Sequence, residues 1–287
     1  MKSSRSAGTS PAADSSLAAL LDWARARGCA SLDAQVLLAR ALGQPRSYLY
    51  AESALTCPRD AAQRFVAAIE RRARGEPLAY ITGLREFWSR MLHVTPDVLV
   101  PRPETEGLVE QALAMGPQGP GSVLDLGTGS GAIALTLAAE RPQWRLTATD
   151  ASVAALAVAV ANAQTLGVRN CEFLPGNWYE PVAGRRFDLI ASNPPYIAPD
   201  DPALAEPALR HEPQRALVSH PDGLGDLRAI VMGARGHLAG GGTLALEHGH
   251  TQAQPVAEML VRAGFSRVRC HADLAGLPRI TVARTPR

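Results

Sequence analysis

The stretch Ser122-Val123-Leu124-Asp125-Leu126-Gly127-Thr128-Gly129-Ser130-Gly131 decides the fold that the sequence predicts. Its first five residues are mostly apolar, which is typical of a buried strand. The three glycines among residues 127–131 indicate a tight turn, because glycine adopts backbone conformations that other residues avoid. The alanine-rich, apolar residues 132–140 then predict a helix. A strand, a glycine turn and a helix in this order predict the first unit of an α/β fold.

The same alternation continues to the end of the chain. Further strands are predicted at 145–149, 171–174, 187–192, 243–246, 267–271 and 280–283, with helices between most of them. This pattern predicts a largely parallel α/β sheet. Ligands of such sheets bind beyond the carboxyl ends of the strands. The residues expected at that edge are Gly127 to Gly131, Asp150, Trp178, Asn193 to Tyr196, and Glu247.

A second motif, Asn193-Pro194-Pro195-Tyr196, follows the strand 187–192. The prolines fix their own φ and push Asn193 out of the helical region. The carbonyls of Asn193 and Pro194 are therefore held in place, beside one amide and one aromatic ring. Such a corner can hold a flat group that carries an –NH2, although Asn-Pro and Pro-Pro also mark ordinary turns. The glycine motif upstream favours the functional interpretation.

The glycine turn by itself fits two cofactors. Gly127, Gly129 and Ala132 match the loose dinucleotide-binding pattern, and Asp150 would bind ribose hydroxyls in either case. Asp125 suits contact with the cationic amino end of a methionine moiety. The Asn193 motif has a role in methyl transfer to a planar nitrogen and none in hydride transfer. We therefore predict an S-adenosylmethionine-dependent methyltransferase rather than a dehydrogenase.

The N-terminal part of the chain differs in character, and four segments are predicted. They are a disordered tail at 1–15, a helical domain at 16–83, a β-hairpin linker at 84–100 and the methyltransferase domain at 101–287.

Three details of these segments are also predicted. In the second helix the stripe Leu32, Val36, Ala39 and Leu42 is expected to be buried. Alternating apolar residues from about residue 75 suggest that the extended, hairpin-forming region begins there. Arg102 and Glu104 fit an ion pair at a helix start as well as they fit ligand contacts.

Composition excludes several classes of protein. A formal net charge of +2 gives no strong case for direct nucleic-acid binding. The four cysteines form no CxxC pair, so we expect neither a zinc site nor disulfides, and a reducing, cytoplasmic location. No apolar run reaches membrane-spanning length, and no signal peptide or membrane partner is expected. We expect a monomer.

The sequence resembles the protein-(glutamine-N5) methyltransferases of class I peptide chain release factors, the HemK or PrmC family. The resemblance covers nearly everything after about residue 17. It is carried by Gly75-Glu76-Pro77, Tyr80-Ile81-x-Gly83, Phe87, Pro101-Arg102-Pro103-Glu104-Thr105-Glu106, Leu124 to Gly131, Ser192 to Ile197, Glu212-Pro213, Ala216-Leu217, Asp222-Gly223-Leu224 and Glu247-x-Gly249-x-x-Gln252. Two departures are Asn177, where an acid commonly precedes the Trp, and His211, where an aromatic Phe or Tyr is usual.

The resemblance implies a seven-stranded Rossmann-like class I methyltransferase domain, a small N-terminal helical bundle and a hairpin linker. It implies that S-adenosylmethionine is bound by Gly127, Thr128, Gly129, Ser130, Gly131, Asp150, Trp178 and Asn193. Asn193, Pro194, Pro195 and Tyr196 would bind the substrate glutamine, with Asn193, Pro194 and Tyr196 in the catalytic role. The expected protein substrates are release factors 1 and 2, modified at their Gly-Gly-Gln motif.

Alternative functions remain open at this point. An adenine-N6 DNA or RNA methyltransferase needs the same corner, since the exocyclic amine of adenine has the same planar shape. A ribosomal-protein glutamine methyltransferase is the nearest alternative. A cofactor-binding assembly factor without catalysis is the third, and the intact motifs argue against it.

Overall fold

The computed structural model describes Pro11 and residues 14–286. The disordered tail predicted at 1–15 lies mostly outside the described residues. Within the described part, the chain divides into two compact units, one ending at Thr82 and the other beginning at Gly83.

The first unit is helical and has its own apolar core. Leu20, Leu38, Phe65 and Ile69 are completely buried there. Its helices are α1 (Leu17–Ala26), α2 (Ser31–Leu42), α3 (Arg46–Ala51), α4 (Arg59–Ala73) and α5 (Leu78–Thr82).

The predicted buried stripe of α2 is wrong in part. Leu32 is 53% exposed, whereas Ala34, Leu37, Leu38 and Ala41 are buried. Apolar residues occur around most of α2, so helical spacing alone does not select the buried face. The face is selected by α1, α3 and α4, which all contact α2, and α3 was not predicted from the sequence.

The second unit begins with the hairpin. β1 (Leu84–Phe87) pairs antiparallel with β2 (Arg90–His93). The extended region is shorter than predicted, because residues from Leu78 form α5. The carbonyl of Pro77 accepts hydrogen bonds from the N–H groups of Tyr80 and Ile81, which starts this helical turn.

A seven-stranded sheet forms the centre of the second unit, in the order β5-β4-β3-β6-β7-β9-β8. The first five strands in this order are parallel, and β9 runs antiparallel to β7 and β8. The predicted fold class is confirmed. The strands are β3 (Gly121–Leu126), β4 (Trp144–Asp150), β5 (Cys171–Pro175), β6 (Phe187–Ser192), β7 (Leu238–Glu247), β8 (Ser266–Ala272) and β9 (Pro278–Arg284).

Helices cover both faces of the sheet, so its central strands are buried on both sides and read as continuous apolar runs. Val123 of β3 belongs to one core cluster, whereas Leu124 and Leu126 belong to the other. The helices are α6 (Thr105–Met115), α7 (Ala132–Glu140), α8 (Val153–Leu166), α9 (Gly225–His237) and α10 (Ala253–Arg262).

None of the helices in the described residues is both long enough and apolar enough to cross a lipid bilayer.

Candidate active site

A cleft of about 530 Å³ opens beyond the carboxyl ends of β3, β4 and β6. Eight of the residues predicted for the site lie on its wall: Gly127, Thr128, Gly129, Ser130, Asp150, Trp178, Asn193 and Pro195. Gly131, Pro194 and Tyr196 do not line this cleft. The structure therefore brings most of the predicted cofactor residues and half of the Asn193 motif into one cavity.

The glycine turn, residues 127–131, is built from backbone conformations that favour glycine. Gly127, Gly129 and Gly131 have φ values of 71°, 55° and 84°. The N–H groups of Gly127 and Thr128 both donate to the carbonyl of Thr149 in β4, at 2.9 and 3.0 Å. The turn is thereby fixed to the edge of the sheet, and its residues Gly127 to Ser130 line the cleft.

Asp150 joins this turn to the start of α8. Its Oδ2 accepts from the N–H of Gly129 at 2.9 Å, and its Oδ1 accepts from the N–H of Ser152 at 2.8 Å. A carboxylate has about four lone-pair sites. The carboxylate of Asp150 therefore keeps acceptor capacity at the cleft wall, as a ribose diol requires.

Asp125 does not occupy the place expected for it. Its side chain is fully buried and does not line the cleft. Its Oδ2 accepts from the hydroxyl of Thr128 at 2.7 Å and from the N–H of Ala134 at 3.2 Å. Burial raises the pKa of Asp125 to about 7. Asp125 thus links the glycine turn to the first turn of α7 from inside the protein.

Trp178 lies against the glycine turn. A Cβ placed on Gly127 would lie 3.3 Å from Cζ3 of the Trp178 ring, so only a glycine allows this approach without displacement. The hydroxyl of Thr149 donates to the carbonyl of Trp178 at 3.2 Å. The neighbouring Asn177 also lines the cleft. The ring and the turn are therefore adjacent parts of one cleft wall.

The Asn193 corner, residues 193–196, follows β6. The Nδ2 group of Asn193 donates to Oγ1 of Thr105 at 3.0 Å. This leaves Oδ1 as the part of the amide that can accept from a ligand. Pro194 is buried, and its carbonyl accepts no hydrogen bond from the described residues. Burial raises the pKa of the half-buried Tyr196 to about 12, so its phenol stays protonated at neutral pH.

Gln252 holds the far end of the corner. Its Nε2 group donates to the carbonyls of Tyr196 and Gly223, at 2.9 and 3.2 Å. Its Oε1 accepts from the N–H of Gly249 at 2.8 Å. A Cβ on Gly223 would lie 2.6 Å from the Tyr196 carbonyl oxygen, which explains a glycine there. The segment from Gly249 to Gln252 therefore fixes the backbone of the corner.

Arg102 pairs with Glu212. The helix-start pair with Glu104, one of the two interpretations that the sequence leaves open, is not among the ion pairs of the described residues, and Arg102 itself lines the cleft. The Arg102 guanidinium donates to Glu212 Oε1 at 2.6 Å, and the Glu212 side chain is 1% exposed. The other oxygen of Glu212 accepts from the N–H of Val100 at 3.2 Å. This pair joins two stretches of the cleft wall, since Pro101 and Pro213 both line it.

Comparisons with known proteins identify the family of the chain. The methyltransferase small domain model matches residues 107–219, and the PrmC N-terminal domain model matches residues 19–83. The release factor glutamine methyltransferase of Pseudomonas aeruginosa is 49% identical over 255 residues, 89% of this chain and 92% of the relative. That of Salmonella typhimurium is 46% identical over 254 residues, 88% of this chain and 91% of the relative. The chain belongs to the release factor glutamine methyltransferase family. The sequence-based assignment to this family and to the methyltransferases is confirmed.

A solved structure shows the same fold outside the release factor glutamine methyltransferases. It is the 16S rRNA N2 G1207 methyltransferase of T. thermophilus in complex with AdoMet and guanosine, which is 19% identical. Its TM-score is 0.53, over 70% of this chain and 49% of that chain. At this identity the likeness concerns the fold alone.

Several residues of this family member were missed by sequence reasoning. The sequence gives Thr105, which contacts Asn193, no role of its own, and it does not indicate Glu212 as the partner of Arg102. Glu247 and Gln252 were recognised as a motif but without a role. The motifs themselves were visible in the sequence. The contacts between their side chains were not, because each contact joins parts of the chain that lie far apart in sequence.

Proposed function

We propose that this protein transfers the methyl group of S-adenosylmethionine to N5 of the glutamine in the Gly-Gly-Gln motif of class I release factors 1 and 2. Family membership supports the substrate. The observation that supports the chemistry is the orientation of the Asn193 side-chain amide. Its nitrogen is engaged by Thr105, so its oxygen is the acceptor offered at the cleft.

The residues around the glycine turn fit the cofactor. Gly127 to Ser130 line the cleft, and the lack of a side chain at Gly127 and Gly129 allows close approach. Asp150 keeps acceptors for the ribose hydroxyls, and Trp178 would pack near the adenine. When bound, S-adenosylmethionine supplies a methyl group activated by a sulfonium. The chain supplies its orientation toward the Asn193 corner, since Asn193 lines the same cleft.

The chain's own contribution to the reaction is positioning and electrostatic. An amide nitrogen is a poor nucleophile because its lone pair is delocalised into the carbonyl. Asn193 Oδ1 and the Pro194 carbonyl would accept the two N–H bonds of the glutamine, which orients the nitrogen and stabilises the positive charge that develops on it. Pro195 and Tyr196 would complete the pocket, with Tyr196 stacked on the planar amide. No dedicated general base is needed, because the proton can leave after transfer.

Labelled-methyl transfer tests the substrate. The protein is incubated with labelled S-adenosylmethionine and four acceptors: purified release factor, its Gly-Gly-Gln variant with Gln replaced by Asn, duplex DNA and ribosomal proteins. We expect label in the release factor and none in the other three. Label in DNA would instead favour the adenine-N6 activity. Label confined to ribosomal proteins would favour the neighbouring glutamine methyltransferase.

The remaining features of the proposal follow from the same assignment. The protein is expected to act in the cytoplasm, where release factors work, as a monomer and without direct nucleic-acid or membrane binding. The net charge of +2 supports the expectation about nucleic acid.

A further inference from the structure

The orientation of the Asn193 amide depends on a buried residue at the start of α6. Thr105 is 4% exposed, and its Oγ1 accepts the hydrogen bond from Asn193 Nδ2 at 3.0 Å. An amide has one accepting end and one donating end. Whatever keeps Thr105 an acceptor therefore keeps the oxygen of Asn193 available to the cleft.

The Thr105 hydroxyl has a single proton, and that proton needs an acceptor of its own. The neighbouring acceptor is the carboxyl of Glu247, the last residue of β7, which is 1% exposed. Hydrogen bonding from Thr105, and more weakly from Asn193, stabilises its charged form. Glu247 Oε2 is buried without a hydrogen-bond partner among the described residues, so this carboxyl is an acceptor to which the Thr105 proton can turn. We call Glu247, Thr105 and Asn193 the relay.

We infer that Thr105 and Glu247 are positioning residues that hold the Asn193 amide with its oxygen toward the substrate. This inference rests on the proposed function, in which that oxygen accepts a hydrogen bond from the reacting nitrogen. Neither residue needs to touch the substrate. They act through Asn193, and their loss should lower kcat more than it weakens cofactor binding.

The direction of hydrogen-bond donation within the relay is fixed when Glu247 is ionised. A carboxylate can only accept, so it takes the Thr105 proton. A protonated Glu247 can donate to Thr105, which then donates to Asn193 and favours the flipped amide with its nitrogen toward the cleft. Ionisation of Glu247 should therefore raise kcat.

The charges that face Glu247 come from three elements besides β7. Arg279 of β9 favours its ionised form, and Glu104 before α6 opposes it. Tyr196 of the Asn193 corner is also near enough to feel its charge. Burial is the largest influence and raises the pKa of Glu247 to about 7. The acid limb of the kcat profile is therefore expected near neutrality.

Thr105→Val is the first test, because it keeps the shape of the side chain and removes the hydroxyl. With release factor as acceptor, we expect kcat to fall about 10-fold to 100-fold, with the KM for cofactor nearly unchanged. Thr105→Ser keeps the hydroxyl and should retain most of the wild-type kcat. Thr243→Val is the matched control, since Thr243 is a buried residue of β7 whose hydroxyl donates to the carbonyl of Met115 at the other end of α6. It should leave kcat unchanged.

Two further measurements separate positioning from a structural role. In an Asn193→Ala background, Thr105→Val should add little further loss, because both act on one contact. Glu247→Gln should lower kcat and remove its acid limb near pH 7.

The outcomes are distinguishable. Normal kcat for Thr105→Val, or an equal loss for Thr105→Ser and Thr105→Val, overturns the positioning role alone. If Thr105→Val does not fold by circular dichroism, an unaltered pH profile for Glu247→Gln overturns it. If the wild-type protein labels no release factor, the proposed function fails and this inference fails with it.

Discussion

The glycine turn and the Asn193 corner are the two halves of one cleft, and they are ordered in different ways. The turn is held by residues close along the chain and by the adjacent strand: Asp125 and Thr128 are three positions apart, and Gly129 bonds to Asp150, 21 positions away at the end of β4. The corner depends on residues far along the chain, since Thr105 lies 88 positions from Asn193 and Gln252 lies 56 from Tyr196. The first half therefore depends on β3, α7 and the adjacent β4, whereas the second requires segments that lie much farther apart along the chain.

The largest effect should come from removing the Asn193 amide. Asn193→Ala deletes one acceptor for the reacting nitrogen. By analogy with the loss of one oxyanion-hole donor, kcat should fall about 100-fold or more at saturating cofactor. Methyl transfer into release factor measures this, and near-normal turnover would reject the role assigned to Asn193.

Asn170→Ala is the control for this experiment. Asn170 donates to the carbonyls of Ala138 and Trp144, both at 3.0 Å, and it does not line the cleft. Its replacement should leave turnover at saturating cofactor near the wild-type value. A similar loss in both variants would mean that Asn193 acts through stability.

The second effect concerns the long-range pair that joins the cleft walls. Arg102→Met leaves the carboxylate of Glu212, whose side chain is 1% exposed, without its cation. Breaking a buried pair from one side is strongly destabilising, and we expect the free energy of unfolding to fall by about 3 kcal/mol. Urea unfolding measures it. Arg262→Met, at an exposed pair with Glu258, should change it by less than about 0.5 kcal/mol, and equal losses would contradict the assigned difference.

The same contrast explains what the sequence could predict. The helix at 132–140 and the strand at 187–192 were predicted with the bounds that the structure has, because glycine and proline mark their ends. The common edge of the strands followed from parallel topology. The partner of Arg102, the burial of Asp125 and the relay to Asn193 were not predicted, because side-chain direction and distant contacts have no signature in local spacing.

The third effect concerns the packing of the glycine turn. Gly131 has φ of 84°, and an added Cβ would lie 2.8 Å from Cδ1 of Leu135. Gly131→Ala therefore combines backbone strain with a steric clash, and should lower the free energy of unfolding by about 2 kcal/mol. Gly129→Ala is the control, since Gly129 has φ of 55° with no atom within 4 Å of the added Cβ. It should cost about 1 kcal/mol from the backbone alone, and an equal loss in both would remove the packing argument.

The smallest effect is on how the free energy of unfolding depends on pH. It compares the two halves of the cleft, because one buried carboxyl lies beside each: Asp125 beneath the glycine turn and Glu247 near the Asn193 corner. Burial raises the pKa of Asp125 from 3.8, and of Glu247 from 4.5, to about 7. Between about pH 4 and pH 7 the folded chain therefore binds more protons than the unfolded chain, so the free energy of unfolding falls as pH rises. One such group contributes about 1 kcal/mol per pH unit. Asp125→Asn and Glu247→Gln should each flatten the fall seen by urea unfolding from pH 5 to pH 7. If only one variant flattens it, only that half of the cleft holds a carboxyl that resists ionisation. If neither does, both ionise in the folded chain as they do in the unfolded one.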